Sequence, residues 1–242
     1  VARFTRQITT SIKSENNKND TAIIILSAGV GNRIKSNEPR SLIKIGNKTL
    51  IEHQIDSIEC SIENSEIIGV FGYAIEKIIK KIGQQIRIVE NQIYQQTNGS
   101  ESLRLAVNNT TKNNILFFHG DLYFNKETLE NANFKKSFLV VDSTGMMKSK
   151  EIGVTIQKKK ATILSYGLPT KWCQIAFITG KELRIMKNIF SKFHGSQKKL
   201  LSFEIINKMI SMGANFECHE PKDMKITEID CIKDLKNENF NL

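Results

Sequence analysis

A fully apolar strand, Ala22–Leu26, runs straight into a small-residue turn that carries Gly29 and Gly31. Arg33, Arg40 and Lys44 follow within the same stretch, which extends to Leu50. Glycines let backbone N–H groups approach an anion closely, and three nearby cations can neutralise it. A chain built this way is expected to place a parallel-sheet strand beneath a loop that holds a polyphosphate.

The rest of the chain extends that pattern. After Thr21, apolar strand candidates at Ala22–Leu26, Ile67–Phe71, Ile86–Val89 and Ile115–His119 alternate with helical candidates at Leu50–Cys60, Ala74–Ile82 and Ser100–Asn108. Alternation of this kind predicts right-handed βαβ units and a parallel sheet. The second half changes character. Short strands are predicted at Phe138–Val141, Val154–Gln157, Ala161–Ser165 and Gln174–Ile178, with Lys158–Lys160 as a hairpin turn. Helices return at Lys181–Phe193 and Ser202–Ser211, and a strand at Asn215–Glu220 precedes ITEIDCIKDL. Residues 1–20 read as a polar, flexible leader, with a helix over Arg3–Lys13 as the alternative. The opening Val1 is what a piece of a longer chain would show. Residues 21–242 read as one domain, with a nucleotide-binding half over 21–125 and an acceptor-binding half over 126–242.

Composition narrows the classes. No apolar run approaches the roughly 18 residues of a membrane span, and no secretory signal pattern is seen, so the expected location is the cytoplasm. The four cysteines (Cys60, Cys173, Cys218 and Cys231) are scattered, which argues against a zinc site or a disulfide framework and for reduced thiols. The net charge of +10 calls for an anionic partner. Much of it sits in polar runs such as Lys80–Lys81, Lys158–Lys160 and Lys198–Lys199, which read as solvated surface. No basic stripe interleaved with aromatics points to RNA.

Two familiar phosphate loops do not fit the first turn. A dinucleotide fingerprint requires a third glycine three residues after Gly31, where this chain has Ile34. A P-loop requires a closing G-K-[ST], which is missing. Further along, His119-Gly120-Asp121 ends an apolar strand, and a carboxylate at the carboxyl end of a parallel strand faces the ligand crevice. Hard Mg²⁺ takes one or two carboxylates together with phosphate oxygens and water, a role that suits Asp121. His119 reads as a packing or supporting residue. In ITEIDCIKDL, Glu228 and Asp230 share one strand face by their i, i+2 spacing. Asp234 then falls on the helix that follows.

The stretch AIIILSAGVGNRI…EPRSLIKIGNKTLIEHQID resembles the signature of the nucleotidyltransferases that activate sugar phosphates and phospho-alcohols, the MobA-like and sugar-phosphate nucleotidylyltransferase family. The resemblance covers Thr21–Leu235 and looks closest to the small choline-phosphate cytidylyltransferases of bacterial surface-polymer pathways. It implies an α/β, Rossmann-like three-layer fold with a mainly parallel mixed sheet and a smaller β-rich acceptor region. By position, Leu26, Ala28, Gly29, Gly31 and Asn32 would surround the nucleotide, and Arg33 would bind the β- and γ-phosphates. Arg40 stands where the family keeps a lysine, which preserves charge in a bulkier, forked group. Asn98, Ser100 and Ser102 would lie near the base and ribose, and Asp121 and Asp230 would hold Mg²⁺, with Glu228 as an alternative or supporting carboxylate. On the acceptor side, Lys44, Lys171 and Trp172 are the candidates. Lys44 reads equally as an exposed strand lysine, and Trp172 either offers a face to a quaternary ammonium or packs between strands. Tyr166, Asp142 and Glu151 are weaker candidates.

The expected reaction is Mg²⁺-dependent transfer of CMP from CTP to a small phosphomonoester or phosphonate, phosphocholine-like or an aminoalkylphosphonate, feeding cell-surface polymer or lipid decoration. The expected partners are a nucleoside triphosphate and a phosphorylated acceptor rather than nucleic acid or membrane, on a monomer or homodimer. Alternatives are a sugar-1-phosphate nucleotidylyltransferase using UTP or dTTP, a basic nucleic-acid-binding protein without catalysis, and a catalytically dead sensor domain.

Overall fold

The computed structural model describes residues 20–30, 38–62, 65–145, 147 and 150–229. In chain order, β1 (Thr21–Ser27) is followed by the short strands β2 (Lys44–Ile45) and β3 (Lys48–Thr49), helix α1 (Leu50–Glu59), β4 (Glu66–Phe71), helix α2 (Ile75–Ile82), β5 (Arg87–Glu90), helix α3 (Gly99–Asn108) and β6 (Asn114–His119). The second half holds β7 (Leu122–Phe124), β8 (Phe138–Asp142), β9 (Ile152–Gln157), β10 (Lys160–Tyr166), β11 (Thr170–Thr179), helices α4 (Gly180–Ser191) and α5 (Ser202–Ser211), β12 (Glu217–His219) and β13 (Ile226–Glu228).

Nine strands form one sheet in the order β5-β4-β1-β6-β11-β8-β12-β10-β9. β1 lies between β4 and β6 and runs parallel to both. Its apolar run is explained by burial on both faces. Ala22, Ile24 and Leu26 pack with Leu103 of α3, Met186 of α4 and Ile205 of α5. Ile23 and Ile25 face the opposite way, toward Ile55 of α1 and Ile78 of α2. The strand period of two thus builds a helix–sheet–helix arrangement of three layers around β1. The parallel pairs are concentrated in the first half. Beyond β6 the pairings are antiparallel except for β8 with β12.

Several boundaries differ from the sequence expectations. The β2–β3 hairpin was not anticipated, because two-residue strands carry no periodicity. It turns at Gly46, whose φ of +61° favours glycine. β11 starts at Thr170, four residues before the expected Gln174, and its register against β8 shifts between Trp172 and Ala176. The β9–β10 turn consists of Lys158 and Lys159 alone, at φ +50° and +64°, and Lys160 already belongs to β10. The proposed leader, residues 1–20, lies outside the described residues except for Asp20.

Candidate active site

The site is assembled at the carboxyl ends of β1 and β6. After β1 the chain continues through the buried Ala28 to Gly29 and Val30. Leu26 lies on the last buried turn of the strand, at 9% exposure. Gly31, Asn32 and Arg33 fall outside the described residues, so their proposed phosphate contacts remain proposals.

Asp121 is delivered by a tight approach between strands. The Gly120 N–H donates to the Leu26 carbonyl at 2.9 Å. A Cβ added at Gly120 would lie 2.5 Å from the Ser27 Cβ, so only glycine lets the β6–β7 turn sit against the end of β1. From below, α1 supports β7: Gln54 Nε2 donates to the Leu122 carbonyl at 2.7 Å, and Ser57 Oγ to the Phe124 carbonyl at 2.9 Å. The start of α1 is fastened by Glu52, whose Oε2 accepts from the backbone N–H and the hydroxyl of Thr49.

Around Asp121 the geometry is specific. Arg40 Nη1 donates to its Oδ2 at 2.6 Å, with both side chains less than one-fifth exposed. The other oxygen, Oδ1, is buried and accepts no hydrogen bond among the described residues. β13 pairs antiparallel with β7 and sets Glu228 opposite Leu122, while the Ile229 N–H donates to the Asp121 carbonyl at 2.7 Å. This brings Glu228 beside Asp121. Burial raises the Glu228 carboxyl above the usual range, and the charge of Asp121 raises it further. Glu228 Oε2 accepts from Gln174 Nε2 at 3.0 Å. Asp230 and Asp234 lie outside the described residues.

The acceptor candidates separate. Lys171 is mostly buried and pairs with Glu151 Oε1 at 2.5 Å. Lys44 is exposed on β2, while its neighbour Ile45 packs with Ile43, Leu50 and Ile229. Trp172 requires a correction. It is 1% exposed, its indole N–H donates to the Ile175 carbonyl at 3.1 Å, and Phe117 and His119 pack edge-on against it. A ring so enclosed offers no face to an acceptor, so Trp172 is a core residue. Tyr166 is 51% exposed and stacks edge-on with Phe203, away from Asp121's neighbours. Asp142 lines a cavity of about 640 Å³ with Thr144, Glu220, Lys222, Lys225 and Ile226.

Two of the base-side candidates are buried. Ser100 is fully buried and its hydroxyl donates to the Gln197 carbonyl at 3.2 Å. Ser102, 3% exposed, accepts from Asn91 Nδ2 at 3.1 Å. Both hydroxyls are hydrogen-bonded inside the protein. They fasten the start of α3 and, through Asn91, the end of β5. Asn98 is exposed, and its Nδ2 donates to the Lys199 carbonyl at 2.5 Å. His119 Nε2 meets Ser202 Oγ at 2.7 Å, and burial holds its imidazole below the usual range. Sequence reasoning missed Gln174, whose only signal was a single amide inside the apolar run Trp172–Ile178.

The fold is α/β, with Asp121 just beyond the carboxyl end of a parallel strand of the central sheet. Residues 23–133 match the family model described as the MobA-like NTP transferase domain. The Bifunctional protein GlmU of Francisella tularensis subsp. novicida is 32% identical over 112 residues, 46% of this chain. The chain spans about a quarter of that curated relative's length, the aligned part being 24% of it. Among solved structures, the CTP:phosphocholine cytidylyltransferase LicC of Streptococcus pneumoniae superposes with a TM-score of 0.75 at 21% identity, covering 90% of this chain and 96% of that one. The inositol-1-phosphate CTP transferase of T. maritima also gives 0.75, at 16% identity over 91% and 93% of the two chains. The nucleoside-diphosphate-sugar pyrophosphorylase of Vibrio cholerae gives 0.71 at 13% identity over 89% and 98%. These likenesses establish a shared fold across nearly the whole chain.

Proposed function

We propose that this chain is a magnesium-dependent nucleotidyltransferase that moves CMP from CTP onto a small phosphomonoester or phosphonate and releases pyrophosphate. The observation that carries this reading is Asp121. It sits at the carboxyl end of a parallel strand with one carboxylate oxygen buried and without a hydrogen-bond partner among the described residues, a cation on the other, and Glu228 alongside. Two neighbouring carboxylates with a spare oxygen fit Mg²⁺, which takes one or two carboxylates and completes its shell with phosphate and water. Asp121 and Glu228 would hold the ion, with Asp230 as a further ligand. When bound, it supplies charge neutralisation at the α-phosphate.

The chain's own residues do the rest. The acceptor arrives ionised, because a phosphate monoester has a second pKa near 6 (order of magnitude). Its oxygen attacks the α-phosphorus, the bond to the β-phosphate oxygen breaks, and pyrophosphate leaves with the electron pair. No general base is required, so catalysis rests on positioning and charge. Arg40, already beside Asp121, is placed to compensate the triphosphate, and Arg33 is assigned the β- and γ-phosphates. Gly29 and Gly31 are assigned backbone contacts to them. Lys44 is assigned to phosphate at the entrance.

The acceptor reading rests on the cavity beside β8 and β12. Asp142 and Glu220 supply negative charge there, and Lys222 and Lys225 supply positive charge. Such a lining suits a zwitterion, an ammonium at one end and a phosphate or phosphonate at the other, as in phosphocholine or an aminoalkylphosphonate. The likeness to two CTP-using transferases supports CTP. Decoration of a cell-surface polymer or lipid, in the cytoplasm and by one domain spanning 21–242, as a monomer or homodimer, completes the proposal. A sugar phosphate with UTP or dTTP is the second reading, favoured by the likeness to the sugar pyrophosphorylase.

A thermal-shift screen of CTP, UTP, dTTP, ATP and GTP with Mg²⁺ tests it. CTP is expected to raise the melting temperature most. A larger response to UTP or dTTP moves the reading to sugar phosphates. No response to any nucleotide, with salt-dependent binding to random DNA, would leave a nucleic-acid-binding protein instead.

A further inference from the structure

Gln174 occupies a backbone conformation that glutamine rarely adopts. Its φ is +58°, in the left-handed region, where side chains other than those of Gly, Asn and Asp are disfavoured. It lies inside the register shift of β11, between Trp172 opposite Val141 and Ala176 opposite Leu139. Between these pairs three residues of β11, Cys173 to Ile175, are matched by Val140 alone on β8, so the strand bulges at this point.

The bulge changes where the side chain goes. Trp172, Ala176 and Ile178 pack into the core beneath α3, α4 and α5. Cys173, Ile175 and Phe177 pack into the core on the other face. Strict alternation would send Gln174 into the first of these, burying an amide among apolar side chains. Instead its Nε2 donates to Glu228 Oε2 at 3.0 Å. Glu228 arrives on β13 and is held beside Asp121 by the pairing with β7. A strained residue inside a central strand therefore touches the carboxylate next to the one with the spare oxygen. Strain of this kind persists where the surroundings overdetermine it, and it gathers at functional sites.

We infer that Gln174 is a positioning residue that holds Glu228 in the orientation the metal site needs, with the left-handed backbone accepted in exchange for that aim. This rests on the assignment of Asp121 and Glu228 to a divalent cation. Its distinguishing feature is that stability and metal affinity should move in opposite directions when Gln174 is replaced.

The test uses the full chain with Mn²⁺ alone, read by electron paramagnetic resonance, together with thermal melts. Gln174→Gly removes both the strain and the amide. Gln174→Asn tolerates the left-handed region but stops one methylene short of Glu228. Both are expected to raise the melting temperature by about 2–4 °C. Both should also weaken Mn²⁺ binding about tenfold, the usual effect of losing a residue that orients a ligand. Unchanged Mn²⁺ affinity in both variants overturns the inference. So does a fall in stability together with affinity, which would mean damage to the fold rather than release of strain. Asp121→Asn separates the two levels. If it binds Mn²⁺ as the wild type does, or if the wild type binds none, the metal assignment itself fails. If it loses Mn²⁺ while the Gln174 variants keep it, only the role of Gln174 fails.

Discussion

β1, β4, β5 and β6 run parallel, with helices on both faces, and their carboxyl ends lie at one edge of the sheet. β8 to β11 run mostly antiparallel, bulge in the middle and turn through two lysines in left-handed backbone. In the first half, chemistry sits at strand ends, where the topology puts any parallel strand's terminus. Asp121 is such a residue, and an ordinary glycine turn delivers it. In the second half, the candidate side chains come from strand interiors, and they reach their partners by local departures from regular geometry. Gln174 reaches Glu228 through a bulge, and Lys171 turns to Glu151 from the irregular end of the same strand. The difference implies that activity depends on strand ends in the first half and on residues within strands in the second, while stability depends on the buried strands of both.

The sharpest way to break this comparison is at the strand end. Asp121→Asn should lower nucleotidyl transfer by at least about a hundredfold, the scale of losing one group that stabilises transition-state charge. The amide keeps the shape and can still accept from Arg40, so the melting temperature should change little. Steady-state kinetics beside a thermal melt checks both. Near-normal turnover would remove Asp121 from the reaction.

A smaller effect is expected in the second half. Lys171→Met leaves Glu151 without its ion-pair partner in a site where the two side chains are only 18% and 9% exposed. The loss should be about 2 kcal/mol, below the fully buried case because Lys171 retains some solvent. Denaturant unfolding measures it. If stability falls while CTP binding holds and acceptor KM rises, Lys171 serves the acceptor as well as the fold. If acceptor KM is unchanged, its role is structural.

The smallest effect is a gain. Lys158 and Lys159 both adopt positive φ in a two-residue hairpin turn that favours Asn-Gly. The double replacement Lys158→Asn, Lys159→Gly should stabilise the chain by about 1 kcal/mol. Activity should be untouched, because the turn is at the far edge of the sheet from Asp121. A loss of stability would show that this turn is held by contacts rather than strained.

The contrast between the halves also explains what could be read in advance. Strands β1, β4 and β6 were readable because continuous burial leaves an apolar run in the sequence, and Asp121 because it ends one. The β2–β3 hairpin was not, since two-residue strands have no period. Trp172 was read as a candidate ligand face because an aromatic beside a lysine looks the same in sequence whether it is buried or open. Ser100 and Ser102 had the right spacing after the loop, yet burial turned their hydroxyls to Gln197 and Asn91. Gln174 could not be found, because a bulge is a property of two strands in register and appears in neither strand alone.

The central claim is that Asp121 anchors a nucleotidyl-transfer site, and phosphorus NMR of the purified chain tests it most directly. Wild type with CTP, Mg²⁺ and phosphocholine or an aminoalkylphosphonate should give pyrophosphate and the cytidylylated acceptor in equal amounts, CDP-linked from phosphocholine and CMP-linked from the phosphonate, and Asp121→Asn should give neither. Pyrophosphate from both proteins alike, or none from the wild type across a broad panel of nucleotides and phosphorylated acceptors, would contradict it.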